Sequence, residues 1–466
     1  MSKDLEQRIN ITISAITEIK PVLAAMNTDQ PLVDYLKPAL EWNPPDIFPH
    51  RQDLTDSMVK QTSQIHGTET AEKLRAQLQR SFGVETGAHL SLPRRYDRIS
   101  KKDGPQINPL VFQGQLFWVA ASAHAGLELS VSASSGRVPL DNSNSGGYID
   151  LPSVEPITTA NRKRYKDTPQ TLVPAITADE LAQKMQKLTT LKQQKKVPDA
   201  EYQIAQEIFA QFLNNPDSFS AQVAAANTLM QNKAFENPVQ QITLDSELIG
   251  RDLMIQALSN PDSLTHQIFA DRELHDLFMQ KMSGIDTGWK EGQNPFYSVS
   301  QTDGRLGNYT GELSPDVLIE QLNSGQIWPR GAMKFFTMMI DSGMCPIGGM
   351  NQSGYCTEIK NSAIDVAEKA KRSDQAEALR GMPTHLAVVT PCWGYSEKDG
   401  ETKLLDGITT IFDPLTPTEF NKLLSISGRD ALITGSPILH KFVVNADAQV
   451  IYPELRDALD GRVVVK

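Results

Sequence analysis

Between residues 84 and 136 the chain runs through a short apolar strand leading into a loop (VETGAHLSLP, 84–93), then a helix, a second strand and a loop of small polar residues. That order constrains the fold more than any other feature. It is the signature of an α/β unit, in which crossover connections build a parallel sheet and ligands sit beyond the carboxyl ends of the strands. The expected fold class is therefore α/β, with a mixed, partly parallel sheet and a helical middle subdomain.

The second strand empties into LELSVSASSGRVPLDNSNSGGYIDLP, residues 127–152. A site built from backbone N–H groups and hydroxyls has this composition. Ser132, Ser134, Ser135 and Gly136 bring backbone close to an anionic or polar ligand, Arg137 adds a charge-assisted fork, and Asn142 and Asn144 orient it. The loop matches no fixed phosphate-loop pattern such as G-x-x-x-x-G-K-[ST], and a tight surface turn rich in Asn and Ser has the same look.

A second candidate is Thr86-Gly87-Ala88-His89 with Arg94 and Arg95. The words TGAHLSLPRR resemble the start of the ATP-binding motif in pantothenate synthetases and other members of the HxGH nucleotidyltransferase superfamily. The resemblance covers about ten of the 466 residues, without the second histidine and without a lysine-rich nucleotide loop downstream. It implies a Rossmann-like fold with His89 near a phosphate, and ATP with Mg²⁺ is the cofactor such a site takes. The alternative is a His and two Arg on a loop beside the sheet.

The third candidate is CPIGGMNQSGYC, residues 345–356. Gly348 and Gly349 permit a tight turn whose amides face a ligand, and Asn351, Gln352 and Ser353 cap the next helix or read polar substrate edges. Cys345 and Cys356 lack the C-x-x-C spacing of a zinc site, so no metal is expected, and buried inert thiols are the ordinary outcome. His124 reads as a helix C-terminal residue, Arg162-Lys163-Arg164-Tyr165-Lys166 as a solvated linker, and Arg305 as part of a surface turn.

Elsewhere, three- and four-residue spacing predicts helix over residues 1–42, stopped at Pro44-Pro45, and again over about 68–82. From about 175 to 285 the pattern is helical, opening on a Thr177/Glu180 capping box, with Asn-Pro-Asp-Ser elements at 215–218 and 260–263 each starting a helix. Ser314-Pro315 starts another helix, and MKFFTMMIDSG forms a buried one. LAVVT (386–390), ITTIF (408–412) and a hairpin over FVVNADAQVIY (442–452) are expected strands. The domain division is 1–170, 171–285 and 286–466.

A formal net charge of −11 and pI near 5.3 argue against a general nucleic-acid binder and against attachment to an anionic membrane surface. No window approaches the roughly 20 apolar residues of a spanning helix, and three cysteines fit a reducing compartment, so the expectation is a cytoplasmic protein. The expected function is a soluble enzyme acting on a small polar or phosphorylated metabolite, in its specific form a nucleotide-dependent ligase or transferase. In that picture Arg137 stabilises developing charge and His89 is the donor or general acid. The alternative is a non-catalytic regulatory or effector scaffold that binds another protein. An enzyme brings the Ser/Asn/Arg loop, His89 and the Gly348-Gly349 turn into one concave pocket, whereas a scaffold leaves them scattered and exposes an apolar patch instead.

Overall fold

The computed structural model describes every residue except 1, 88–89, 91, 93–107, 139–147, 156, 159–163, 237–238, 291, 388–391 and 399. The fold is α/β. At its centre lies a four-stranded, all-parallel sheet of β1 (Gly83–Glu85), β2 (Leu129–Ser134), β3 (Gln240–Asp245) and β4 (Cys345–Ile347), in the order β3-β2-β1-β4. The segments 1–170, 171–285 and 286–466 each supply at least one of these strands. Smaller sheets, antiparallel or mixed, lie outside it, including the three strands Phe296–Val299, Leu306–Asn308 and Ile327–Pro329.

The alternation in β2 and β3 explains how the sheet is covered. Leu129, Val131 and Ala133 point to one face with Val84, Ile242 and Leu244, and pack on Leu54, Met58, Leu74 and Leu78 of helices Arg51–His66 and Thr68–Leu78. The opposite face carries Glu85, Ser130, Ser132, Ser134, Gln241, Thr243 and Asp245, all buried. Alternation of this kind normally marks a sheet with one wet face. Here the polar face is covered, with Trp118 of helix Asn108–His124 donating to Val131 O (3.1 Å) and Gln231 of helix Phe219–Asn232 accepting from Thr243 Oγ1 (3.0 Å).

The same helix Phe219–Asn232, together with Gln61 of helix Arg51–His66, closes the edge of β3. Asn232 accepts from Gln241 N (2.8 Å), Thr228 Oγ1 accepts from Thr243 N (2.9 Å), and Gln61 accepts from Asp245 N (2.8 Å). A bare row of strand donors is thereby satisfied without another strand.

Several expected elements form as the local chemistry dictates. Helices span Lys3–Ile19, Pro21–Met26 and Leu32–Leu40, and Thr68–Leu78 lies within the expected 68–82. Thr177 and Glu180 make their capping box at helix Ala178–Gln193. Ser218 and Ser263, the serines of the two Asn-Pro-Asp-Ser elements, cap helices Phe219–Asn232 and Leu264–Ala270.

Two expected strands are helices instead. ITTIF lies in helix Gly407–Phe412 because Asp406 accepts from Thr409 N and starts it there. Phe442–Val444 close the 17-residue helix Gly428–Val444, capped at its start by Ser427 and ended by Asn445 at φ 57°, so no hairpin forms. In both places a cap outweighs the strand preference of the β-branched residues. Of LAVVT, residues 388–390 lie outside the described residues, while Ala387 makes a parallel bridge to Gly348 just beyond β4. Among the described residues no helix is long and apolar enough to cross a membrane.

Candidate functional site

All four parallel strands end at one edge, and each hands over to a polar or glycine-rich turn. β1 ends in Glu85 before Thr86 and Gly87; β2 ends in Ser134 before Ser135, Gly136 and Arg137. β3 ends in Asp245, which caps helix Ser246–Ser259, and β4 leads through Gly348 and Gly349 into helix Met350–Lys369. Parallel strands with the same direction make this convergence automatic.

Glycine permits the close approach of these turns. A Cβ on Gly87 would lie 2.5 Å from Gly348 Cα and 2.6 Å from Gly349 N, and one on Gly136 would lie 2.1 Å from Thr171 Oγ1 and 3.0 Å from Asp245 Oδ2. Gln352 Nε2 donates to Thr86 Oγ1, tying the turn after β4 to the end of β1. Thus Thr86, Gly87, Ser134, Ser135, Gly136, Arg137, Gly348, Gly349 and Gln352 lie along one edge. His89, Arg94, Arg95, Asn142 and Asn144 lie outside the described residues.

Charged groups that the sequence reading did not single out occupy the same edge. Glu85, fully buried, accepts from Ser132 Oγ and from Gly87 N (2.7 Å). Asp245, 1% exposed, accepts from Thr171 Oγ1 (2.8 Å) and Glu247 N (2.9 Å). Glu247, fully buried, accepts from Lys334 Nζ (2.6 Å), Ser135 Oγ (2.8 Å) and Trp328 Nε1 (3.4 Å). Lys334 is 1% exposed and also donates to Ser246 Oγ (2.8 Å).

Lys334 sits on helix Gly331–Phe336, which widens into a π-helical stretch at Thr337–Asp341. Its aliphatic stem is threaded past Gly250, where a Cβ would lie 2.4 Å from Lys334 Cγ. Two sequence signals pointed here. A lone lysine within the apolar run AMKFFTMMI must find a buried partner, and ITLDSE has the form of a strand running into a capped helix.

Asp245 and Glu247, two residues apart, are pushed in opposite directions. Burial, reinforced by the charge of Glu247, raises the Asp245 carboxyl to about 6 despite its hydrogen bonds. Burial also acts to raise Glu247, but the charges of Lys334 and Arg137, with hydrogen bonds from Lys334 and Ser135, outweigh it and hold that carboxyl below its ordinary value. Asp245 therefore exchanges a proton near neutral pH while Glu247 stays ionised. A pair of carboxyls driven apart by their surroundings is how acid and base roles are divided in enzyme sites.

The remaining candidates are placed elsewhere or are inert. Cys345, Cys356 and Cys392 are buried, and burial pushes all three thiols up, so none is a thiolate nucleophile at neutral pH. His124 ends helix Asn108–His124, with Nε2 3.8 Å from Asp34 Oδ1. Arg305 pairs with Asp303 (3.3 Å) and donates to Lys166 O (3.3 Å), and Arg164 lies over Tyr165. Among the described residues no three His, Cys, Asp or Glu side chains gather as a metal site. A separate cavity of about 630 Å³ is lined by Glu6, Asn10, Asp29, Arg429, Asp430 and Arg462 among others; there Arg429 donates to Asn10 Oδ1 (3.3 Å) and Arg462 to Asp430 (2.8 Å).

No protein-family model matches this sequence, and no curated protein matches it either.

Proposed function

We propose that the chain is an enzyme acting on a small polar or phosphorylated metabolite at the carboxyl edge of the parallel sheet. The observation that carries this reading is the opposed pair Asp245 and Glu247, brought together with Lys334 and Arg137 at that edge. Buried ion clusters of this kind contribute little to stability compared with apolar packing of equal volume. Perturbed carboxyls at the mouth of a parallel sheet are, in contrast, characteristic of catalytic sites.

In this reading Asp245 gives or takes the proton, Glu247 holds Lys334 in place through their ion pair, and Arg137 faces the substrate and stabilises charge that develops on it. Thr86, Gly87, Gly348 and Gly349 shape the adjacent wall. The narrower form, a nucleotide-dependent ligase or transferase using ATP with Mg²⁺, draws on the TGAH segment, in which Thr86 and Gly87 stand at the strand end.

The test is a thermal-shift screen of the purified chain against nucleotides, sugar phosphates, amino acids and acyl-CoAs, with and without Mg²⁺. A ligand at about 100 times its Kd stabilises by about 2.7 kcal/mol, a readily measured shift. A hit whose turnover is lost in Asp245→Asn, with the fold intact, supports the reading. A hit bound and turned over equally well by that variant, or no hit in any class, overturns it. A shift that requires ATP and Mg²⁺ together supports the narrower form.

A further inference from the structure

Arg137 follows the end of β2, and its donors meet no acceptor among the described residues. Nor does its guanidinium have a carboxylate within ion-pair distance among them, although it is half-buried. Glu247, whose charge it feels, is already bonded to Lys334, Ser135 and Trp328. The guanidinium lies against the backbone of Gly331, where a Cβ would stand 2.5 Å from Nη1 and 3.0 Å from Cζ and Nη2. A side chain at this position would push the end of Arg137 aside.

The charge balance nearby points the same way. Arg330, 5% exposed, donates to Asn294 O (2.8 Å) and Asn308 Oδ1 (2.9 Å) and lies 4.0 Å from the Tyr297 ring centroid, again without a carboxylate among the described residues. The Arg137 guanidinium thus lies at Gly331, which follows Arg330 and precedes Lys334 by three residues, and among the described residues only Lys334 of the three cations has a carboxylate in contact, Glu247. A planar guanidinium whose donors meet no acceptor among the described residues matches the paired oxygens of a phosphoryl group or a carboxylate.

We propose that Arg137 is the receptor for an oxyanion carried by the substrate, a phosphoryl group or a carboxylate, and that Gly331 is a positioning residue that leaves room for the guanidinium where it stands. The inference rests on the enzymatic reading of the same edge and names the substrate class. Phosphate esters and carboxylic acids share this chemistry, so the experiment separates them.

Inorganic phosphate and succinate are titrated calorimetrically, at constant ionic strength, into the full chain and into Arg137→Ala, Arg137→Lys, Gly331→Ala and, as a control in the other cavity, Arg429→Ala. Circular dichroism and Tm report the fold of each. Saturable binding of phosphate assigns a phosphoryl substrate and binding of succinate a carboxylate. Arg137→Ala weakens it at least about tenfold, corresponding to about 1.4 kcal/mol. Arg137→Lys restores part of that loss, because the charge returns without the fork. Gly331→Ala, which removes no charge and only pushes the guanidinium aside, weakens binding by less than Arg137→Ala, and Arg429→Ala leaves it unchanged.

Absence of binding by either anion, or undiminished binding in Arg137→Ala, overturns the receptor. Undiminished binding in Gly331→Ala overturns the positioning role. A metabolite whose turnover requires Asp245 but not Arg137 would leave the enzymatic reading standing and remove the oxyanion assignment. Phosphate binding through Arg137, with no metabolite turned over, would do the reverse.

Discussion

Replacing Asp245 by Asn is expected to make the protein more stable above pH 6 while abolishing its activity. The folded carboxyl is raised from 3.8 to about 6, chiefly by burial and then by Glu247. Between those values the folded state binds more protons than the unfolded chain, so stability linked to this group is full below pH 3.8 and is lost as pH rises through 6. A shift of about two units corresponds to about 3 kcal/mol of destabilisation at pH 8. Asn mimics the protonated carboxyl at every pH. Its Oδ1 still accepts from Glu247 N, and the Thr171 hydroxyl, a donor to Asp245 at 2.8 Å, can rotate to accept from the amide. The favourable charge–dipole term at the helix start is already contained in the folded value of about 6. The net gain at pH 8 is therefore about 3 kcal/mol, shrinking to about 1 kcal/mol near pH 4.5 and toward zero below pH 3.8. Urea denaturation of both proteins across this range measures it. A difference that does not change with pH, or a variant less stable at pH 8, would refute the reasoning.

Other substitutions probe the same cluster. Lys334→Met leaves Glu247 buried and unpaired and is expected to cost about 3–5 kcal/mol, while Lys334→Met with Glu247→Leu recovers most of that loss in a denaturation cycle. Gly136→Ala drives a methyl group onto Thr171 Oγ1 at 2.1 Å and is expected to destabilise by about 1–3 kcal/mol with loss of ligand binding. Burial lowers His66 to about 4, although its ring nitrogen bonds Thr243 O at 3.0 Å. Its contribution is full above pH 6.5 and is lost as pH falls toward 4, so His66→Gln flattens the acid limb of the stability profile, read as Tm against pH.

What the sequence revealed and what it concealed follow from range. Capping chemistry is local, so Thr177 with Glu180, Ser218 and Ser263 could be read directly and stand where expected. Gly87, Gly136 and Gly348 could be read as places of close backbone approach, because only a missing side chain permits it. Their partners could not. Gly87 meets Gly348 some 260 residues away, and that pairing depends on β1 lying beside β4. β3 was absorbed into a helical stretch because six residues between long helices carry little periodic signal, and with it went Asp245 and Glu247. Helix Arg51–His66 also escaped notice, its polar residues masking a narrow buried stripe of Leu54 and Met58. The strands expected at 408–412 and 442–452 failed for the opposite reason: β-branched content is a weak preference that a capped helix overrides.

The central claim is that the carboxyl edge of the parallel sheet is where this chain binds its substrate. Hydrogen–deuterium exchange with and without a ligand from the thermal-shift screen tests it most directly. The account predicts protection concentrated in residues 84–87, 132–138, 245–250, 330–335 and 347–352. Protection confined to the cavity bounded by Asn10, Arg429 and Arg462, with these segments unchanged, would contradict it.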